Sequence, residues 1–504
     1  LQLLIGDKKN DWIIERYHGG TPLATRADHL VPQWNRYWFD PNIPSYSYDP
    51  AKAYEMLTDA GFSNTTGHWI APNGEEMRHM YVLSPPELDF LFFSQVAAEA
   101  LNSFFGVASE MHPTHPNKPY FEWECVGAGS LVVGYYNRDY DLFCCSIFFG
   151  GRDIEYLYDV LHPKADAEGS YNTAGLVCQP LDDYLWALKF GRNATTGEFI
   201  ADVQELREIG YEVQWMLYNG TGGSEAACPY IPLMEYRYAS LFCPNLKEWI
   251  DSSGYGAAPC GLEMPWTYVN ISWKSPTHCR FVRWNPTAQV IALHPGTTDW
   301  YGDKYVLNRL FDSLLVVDPY THKDVPWATT RWAMEAYVNE SENVYNGMNV
   351  TFWLRRGICW HDGDPVTADD VVWNFDFINS IGKTGGFTSL SKVWKDYIKS
   401  ENIGTYTLAV YLNTTGLWNV YDLSENALKF PKQIWQPYWG NKTAAEAFHP
   451  WETPHPTITG LTSLIGTGPY IFVEWNTTAN YIHLHANRAG YPRTGLPGYW
   501  GTWS

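Results

Sequence analysis

The side chains that most often do chemistry occur in this chain, but none stands in a spacing typical of an active site. His112 and His115 flank a Pro-Thr step, and His483 and His485 alternate along one predicted strand, so a turn and a strand face explain both pairs. The sequence contains no G-x-x-x-x-G-K-[ST], G-x-G-x-x-G, H-E-x-x-H or G-x-S-x-G motif. We therefore predict no catalytic residues, no metal site, no cofactor and no enzymatic activity; a secreted hydrolase has no catalytic constellation behind it.

Nine asparagines stand in Asn-x-Ser/Thr triplets, the acceptor pattern for N-linked glycans. Chance would supply roughly three or four such triplets, so the excess predicts an exported glycoprotein with glycans on exposed loops. The alternative is that a loop composition rich in Asn and Thr creates triplets by accident. The candidate glycosylation sites are Asn64, Asn193, Asn219, Asn270, Asn339, Asn349, Asn413, Asn441 and Asn476.

The chain has nine cysteines and no C-x-x-C pair. In an exported protein some of them should form disulfides, and the odd count leaves at least one thiol free or bonded to another molecule. Connectivity does not follow from sequence. Cys144 and Cys145 are adjacent in an apolar run, which favours burial over reactivity.

Composition excludes several classes of protein. With 34 Lys and Arg against 55 Asp and Glu, the formal charge is −21, which repels nucleic acid. Charged residues make up 18 % and hydrophobic residues 45 % of the 504 residues, which excludes a disordered polyelectrolyte. Aromatic residues reach 16 %, with 25 Trp, and favour strands, loops and stacking surfaces over a helical bundle. The sequence has no run of about 18 apolar residues, so it predicts no membrane span.

Periodicity predicts a mixed α/β chain. An Asp cap followed by proline predicts a helix from Asp49. Thr367, with Asp369 and Asp370 in the following turn, predicts the start of another helix. We place a boundary near Trp273 to Pro286, where the chain changes character after a Gly/Ala/Pro-rich stretch. Further predicted helices are 88–104, 182–188, 202–218 and 305–315; predicted strands are 80–84, 140–149, 229–234, 289–293, 350–354, 407–412, 470–475 and 481–484, the last two as a hairpin.

The most informative segment runs from Val350 to Val371 and contains Leu-Arg-Arg-Gly, then Trp-His-Asp-Gly, then Pro-Val-Thr-Ala-Asp-Asp-Val. It consists of a strand, a tight Asp-Gly turn and a capped helix start. This order resembles the signature of the family 5 extracellular solute-binding proteins, the oligopeptide, dipeptide and nickel receptors of ABC importers.

Four other stretches resemble the same family, and together they touch most of the chain. Their order departs from the family, because the Trp-His-Asp-Gly region follows the Tyr-Asp-Pro helix here. We expect either a permuted chain or a piece cut from a longer protein, and favour the second. Residues 1–280 then resemble the second lobe and residues 281–504 the first. The four stretches are 48–62 with the following turn, 226–233, 307–328, and 466–491.

The resemblance implies a two-lobed α/β fold of the periplasmic-binding-protein type (large cluster C), with mixed sheets, a hinge and a ligand enclosed between the lobes. Phe148 and Phe149 lie where the family offers an aromatic wall, and Asp153 is the carboxylate nearest the position that holds a peptide amino terminus. Asp312 and Ser313 match the ligand-facing position of the first lobe.

The implied function is the extracellular receptor of an ABC importer that captures oligopeptides or oligosaccharides and delivers them to a permease. An archaeal, glycosylated, cell-surface member fits best, with any membrane anchor outside the given residues. The alternative is a structural coat or filament protein that reuses the fold and self-assembles.

Overall fold

The computed structural model divides the chain into two compact units. Unit 1 comprises Leu1–Lys189, Asn193–Thr196 and Gln204–Leu241. Unit 2 comprises Phe190–Arg192, Gly197–Val203 and Phe242–Ser504. The structure describes residues 4, 24–33, 35–65, 67–85, 88–106, 119–125, 140–144, 154–163, 172, 175–200, 202–219, 230–236, 246–247, 265–270, 272–273, 290–298, 301–318, 323–381, 396–479, 481–492 and 494–501.

Up to Tyr236 the chain combines short strands with amphipathic helices. Three strands form a parallel sheet in the order β5-β4-β6, and the helix that follows β4 supplies the crossover that parallel pairing requires. That helix packs Leu101 and Phe105 against Val82 and Phe121 of the sheet. The strands are β1 Ala24–Arg26, β2 Ser63–Thr65, β3 His68–Ile70, β4 Met80–Ser84, β5 Phe121–Cys125, β6 Leu142–Phe143 and β7 Met234–Tyr236; the helices are α1 Pro50–Asp59, α2 Leu88–Phe105, α3 Tyr156–Leu161, α4 Gln179–Phe190 and α5 Val203–Asn219.

Unit 2 is built around a four-stranded antiparallel sheet in the order β12-β13-β15-β14. Side chains alternate along its strands, so Val350, Phe352 and Val410 face a core in which α8 buries Phe375 and Ile378. The strands from here on are β8 Leu246–Lys247, β9 Ser272–Trp273, β10 Leu315–Val317, β11 Asp324–Pro326, β12 Thr329–Asn339, β13 Val344–Leu354, β14 Tyr397–Gly404, β15 Thr407–Leu412, β16 Tyr470–Asn476 and β17 Tyr481–Ala486; the helices are α6 Pro265–Asn270, α7 Tyr301–Leu310, α8 Ala368–Ile381, α9 Leu417–Asn426, α10 Lys432–Trp435 and α11 Lys442–Glu446.

Local signals in the sequence place several of these elements correctly. The Asp49 side chain accepts a hydrogen bond from the Lys52 amide at 2.9 Å and begins α1, as its cap predicts. The Thr367 amide and hydroxyl both donate to Asp370 at the start of α8. The hairpin of β16 and β17 is confirmed, as are the α/β class and the mixed sheets.

The strand predicted at Gln289–Leu293 is wrong. Residues 290–293 join no sheet, because the amides of Ile291 and Ala292 donate instead to Asp303 Oδ1 at 2.7 and 3.2 Å. A side chain from α7 thus takes the donors that a neighbouring strand would need.

Two predicted elements are displaced. The strand predicted at Pro229–Met234 begins only at Met234, since Pro232 has no amide hydrogen for a ladder. The helix predicted at Tyr305–Leu315 runs instead from Tyr301 to Leu310, and Leu315 opens β10.

Other predictions fall outside the described residues in part. Strand β6 occupies two positions of the predicted 140–149 strand, and residues 145–149 are not described. Residues 274–286 are likewise not described, so the boundary at 280/281 stays a prediction.

Among the described cysteines, Cys125, Cys178 and Cys359 carry free thiols, and the disulfides stay a prediction for the others. Within the described ranges, no helix has both the length and the apolar character needed to cross a bilayer.

Candidate functional site

His361 of the Trp-His-Asp-Gly segment ties two distant stretches of unit 2 together. Its Nδ1 accepts from the Gly466 amide at 3.1 Å, and its Nε2 lies 3.0 Å from the Gly468 carbonyl oxygen. Burial lowers the pKa of His361 to about 4, against a smaller opposing effect of the Gly468 carbonyl. The imidazole is therefore neutral near pH 7, with its proton on Nε2, and serves as a structural bridge.

Gly466 and Gly468 allow the chain to approach the end of α7 closely. A Cβ at Gly466 would stand 1.9 Å from the Leu310 carbonyl oxygen, and one at Gly468 would stand 2.6 Å from the Arg309 carbonyl oxygen. The Gly468 amide also donates to the Leu310 carbonyl at 2.8 Å. Only glycine fits this contact, which fixes the loop that follows α7.

Asp312 lies in that loop and is 5 % exposed. Its amide donates to Thr467 Oγ1 at 3.3 Å, while its Oδ1 accepts from Trp327 Nε1 and Tyr499 Oη, each at 2.9 Å. Its Oδ2 has no hydrogen-bond partner among the described residues. The family-like segments thus converge on one buried carboxylate.

Burial raises the pKa of Asp312 to about 6, although the nearby polar groups of Trp327, Tyr499, Thr467 and Trp500 pull it down. In the described part of the chain, no Lys, Arg or His forms an ion pair with this carboxylate. The pKa of Tyr499 is raised well above its ordinary value by burial and by the neighbouring Asp312 charge. The carboxylate is therefore mostly ionised at pH 7 but costs stability there.

Aromatic rings enclose this carboxylate. The Trp327 ring lies 5.0 Å from Trp266 and 5.2 Å from Trp500, and Tyr499 stacks on Trp500 at 4.8 Å. The Arg355 guanidinium lies 5.3 Å from the Trp500 ring centre. We call Trp266, Asp312, Trp327, Arg355, Tyr499 and Trp500 the Asp312 cluster.

Three members of the Asp312 cluster, Trp266, Arg355 and Trp500, are partly exposed. Indole faces can stack on apolar ligand surfaces, and a guanidinium can bind a carboxylate with two parallel hydrogen bonds. The arrangement is suited to binding and holds no nucleophile paired with a base.

Asp362 of the Trp-His-Asp-Gly segment has a structural role. Burial raises the pKa of its carboxyl, but His455, Gln433 and the Asp364 amide outweigh that effect and lower it overall. Gln433 Nε2 donates at 2.8 Å and His455 Nε2 lies 3.3 Å away, both at Asp362 Oδ2. The Asp-Gly turn is thereby held against a second loop.

Of the five predicted ligand-binding residues, the structure describes two. Asp312 lies in the cluster, and Ser313 stands next to it with its hydroxyl donating to the Leu315 carbonyl at 2.7 Å. Phe148, Phe149 and Asp153 lie outside the described residues. Trp327 and Thr467 stand in the family-like stretches but are not among the predicted site residues, and Tyr499 and Trp500 carry no local signal in the sequence.

Most sequon asparagines lie at the surface, as glycan acceptors would. Asn339, Asn349 and Asn476 are half-buried, and the side chain of Asn270 lies outside the described residues. The exposed ones are Asn64, Asn193, Asn219, Asn413 and Asn441. No group of three His, Cys, Asp or Glu side chains able to hold a metal ion occurs in the described ranges.

Three solved structures are similar to parts of this chain. The oligopeptide-binding protein AppA of Bacillus subtilis is 19 % identical over 40 % of this chain and 35 % of its own, with a TM-score of 0.28. NikZ of Campylobacter jejuni, in complex with Ni(L-His), is 21 % identical over 40 % and 34 %, with a TM-score of 0.29. A periplasmic oligopeptide-binding protein of Thermotoga maritima is 18 % identical over 54 % and 48 %, with a TM-score of 0.37.

The chain thus spans between a third and a half of the length of these proteins. No curated protein matches it. Residues 324–499 match the model of the bacterial extracellular solute-binding proteins, family 5, middle region. The members of that family are solute-binding proteins. The matched residues include His361, Gly466 and Tyr499, so the match and the hydrogen bonds concern the same segment. Residues 324–499 of this chain are therefore similar to the middle region of the family 5 extracellular solute-binding proteins.

Proposed function

We propose that this chain is the substrate-binding component of an ABC importer and captures oligopeptides or oligosaccharides outside the cell. The observation that carries the proposal is the family match over residues 324–499, whose motif residues build the loop of Asp312. The permease of the importer is the expected partner, and the charge of −21 argues against nucleic acid.

Within this proposal the ligand contacts the exposed parts of the Asp312 cluster. Arg355 beside the Trp500 ring suits a carboxylate, as at a peptide carboxyl terminus, and the indole faces suit the apolar side of a pyranose. Asp312 and Ser313 support the exposed part of the Asp312 cluster, because they fix Trp327 and the start of β10. Phe148, Phe149 and Asp153 remain proposed ligand contacts.

Thermal unfolding of the intact protein with peptide and oligosaccharide libraries tests the proposal. A ligand at 100 times its Kd should stabilise the folded protein by about 2.7 kcal/mol. Arg355→Ala should weaken that response, and Arg356→Ala is the matched control because Arg356 is exposed and lies over Tyr406 instead. No response to either library would contradict the proposal, and sedimentation as large assemblies would favour the coat or filament alternative.

We also propose that the protein is a glycosylated protein of the cell surface. The exposed sequons support this proposal. In each modification the Asn Nδ2 would form a bond to the anomeric carbon of a polyprenyl-phosphate-linked oligosaccharide. The bond from that carbon to the phosphate oxygen breaks, the phosphate leaves with the electron pair, and the amide releases a proton. Glycopeptide mass analysis of protein from its native source tests each site, and unmodified sequons throughout would contradict it.

A further inference from the structure

An aromatic residue precedes five of the nine sequon asparagines by two positions. Because 16 % of the residues are aromatic, chance would place a ring there at about one or two of nine sites. The five pairs are Phe62 and Asn64, Tyr268 and Asn270, Tyr337 and Asn339, Tyr411 and Asn413, and Trp439 and Asn441.

In an extended strand, a spacing of two brings the ring and the amide to the same side. The pair at the end of β12 shows this contact directly, because Asn339 Nδ2 donates to Tyr337 Oη at 3.0 Å. The first sugar attached to such an amide nitrogen would therefore lie next to the aromatic ring. At Trp439 and Asn441 the two residues are instead joined by a tight turn, which the hydrogen bond from the Asn441 amide to the Tyr438 carbonyl closes.

The structure separates the five pairs by the exposure of the ring. Tyr268 is 4 % exposed, and Phe62 packs against the core of unit 1. Tyr337 and Tyr411 lie 4.8 Å apart and cover part of each other. Trp439 is 48 % exposed and offers the largest free aromatic surface.

Local contacts fix Trp439 and Asn441 relative to each other. Gly440 adopts φ +69°, a left-handed conformation suited to glycine, and its amide donates to Ser380 Oγ at 3.1 Å. The Asn441 amide donates to the Tyr438 carbonyl at 3.0 Å. Trp439 meanwhile contacts the Trp373 ring at 5.9 Å.

Asn441 has its modifiable nitrogen available. Its Oδ1 accepts from the Ala444 amide at 3.1 Å and caps α11. Its Nδ2 donates no hydrogen bond to the residues that the structure describes. Asn441 and Thr443, the two recognised residues of this sequon, are both exposed.

We propose that Asn441 carries an N-linked glycan whose first sugar stacks on the exposed indole of Trp439. One face of a pyranose presents aliphatic C–H groups, and covering an indole with them removes apolar surface from water. The inference rests on the proposed glycosylation and adds which asparagine is modified and which ring the first sugar contacts. The glycan then stabilises the segment between α10 and α11.

A double-mutant cycle on protein from its native source tests this contact between the first sugar and Trp439. Thr443→Val abolishes the sequon but keeps the Asn441 cap, so it removes the glycan without removing the cap of α11. Trp439→Ala should lower the Tm by about 1–3 °C more in the glycosylated protein than in the Thr443→Val background. Protons of the first sugar should also shift upfield in NMR spectra, and Trp439→Ala should abolish that shift.

The Asn193 sequon is the matched control, because Gly191 stands two positions before it. Removing it with Thr195→Val should leave the effect of Trp439→Ala unchanged. If Asn441 is glycosylated but shows neither coupling nor an upfield shift, the stacking is wrong while the glycosylation stands. If other sequons are modified and Asn441 is not, this site is overturned; if none is modified, the glycoprotein proposal fails as well.

Discussion

Replacing Asp312 by asparagine removes one buried charge while keeping the shape of the side chain. The variant retains an oxygen that can accept from Trp327 and Tyr499. The pKa of Asp312 is raised from 3.8 to about 6 by burial, so the folded protein binds this proton more tightly than the unfolded chain does. The stability that this contributes is fully present below pH 3.8 and is lost as the pH rises through 6.

A difference of about two pKa units corresponds to about 3 kcal/mol. The free energy of unfolding of the wild type should therefore fall by about that amount, relative to Asp312→Asn, between about pH 2.5 and pH 7.5. In Tm this is a relative change of about 6–12 °C for a unit of this size.

Urea unfolding of both proteins across this pH range measures the difference, since all other titrating groups are shared. Glu335→Gln, on the exposed side of β12, controls for the loss of one carboxylate. A difference that stays flat across the range, or that rises with pH, would refute the assignment of Asp312 as a buried and energetically costly charge.

Two further predictions concern the contacts that hold the Asp312 loop. Gly466→Ala should destabilise unit 2 by about 3 kcal/mol or more, because its Cβ would stand 1.9 Å from the Leu310 carbonyl oxygen. Gly404→Ala is the control: its Cβ would be 3.7 Å from Thr407, so it should cost under about 1 kcal/mol. Equal urea midpoints for the two variants would contradict the close approach at Gly466. His361 has a folded-state pKa lowered to about 4, so its stabilisation is present above pH 6.5 and is lost as the pH falls towards 4. His361→Gln should remove that acid-side loss of about 3 kcal/mol, and an unchanged acid limb of the stability curve would count against the neutral bridge.

Local signals in the sequence account for much of the fold. The Asp49 cap, the Thr367 capping pair and the β16–β17 hairpin each depend on residues close together in the chain. The strand predicted at 289–293 fails because Asp303, ten positions away or more, takes its amides. Propensity cannot anticipate a side chain that competes with a ladder.

The candidate site was predictable only in part. The place of Asp312 in a family-like stretch predicts its role, but Tyr499, which donates to it, lies 187 positions away in the chain. Trp327 donates to the same oxygen from 15 positions further along the chain. Such convergence follows from tertiary packing, which fixes Gly466 and Gly468 against Leu310, and no periodicity in the sequence marks it.

Calorimetric titration of the intact protein with the peptide or oligosaccharide that stabilises it best tests the central claim most directly. We predict saturable binding that Arg355→Ala weakens about tenfold or more, as loss of a charged hydrogen bond should, while Arg356→Ala leaves it unchanged. Binding that is equally strong in both variants would remove the Asp312 cluster from the ligand site, and no heat from either class of ligand would contradict the assignment as a solute-binding protein.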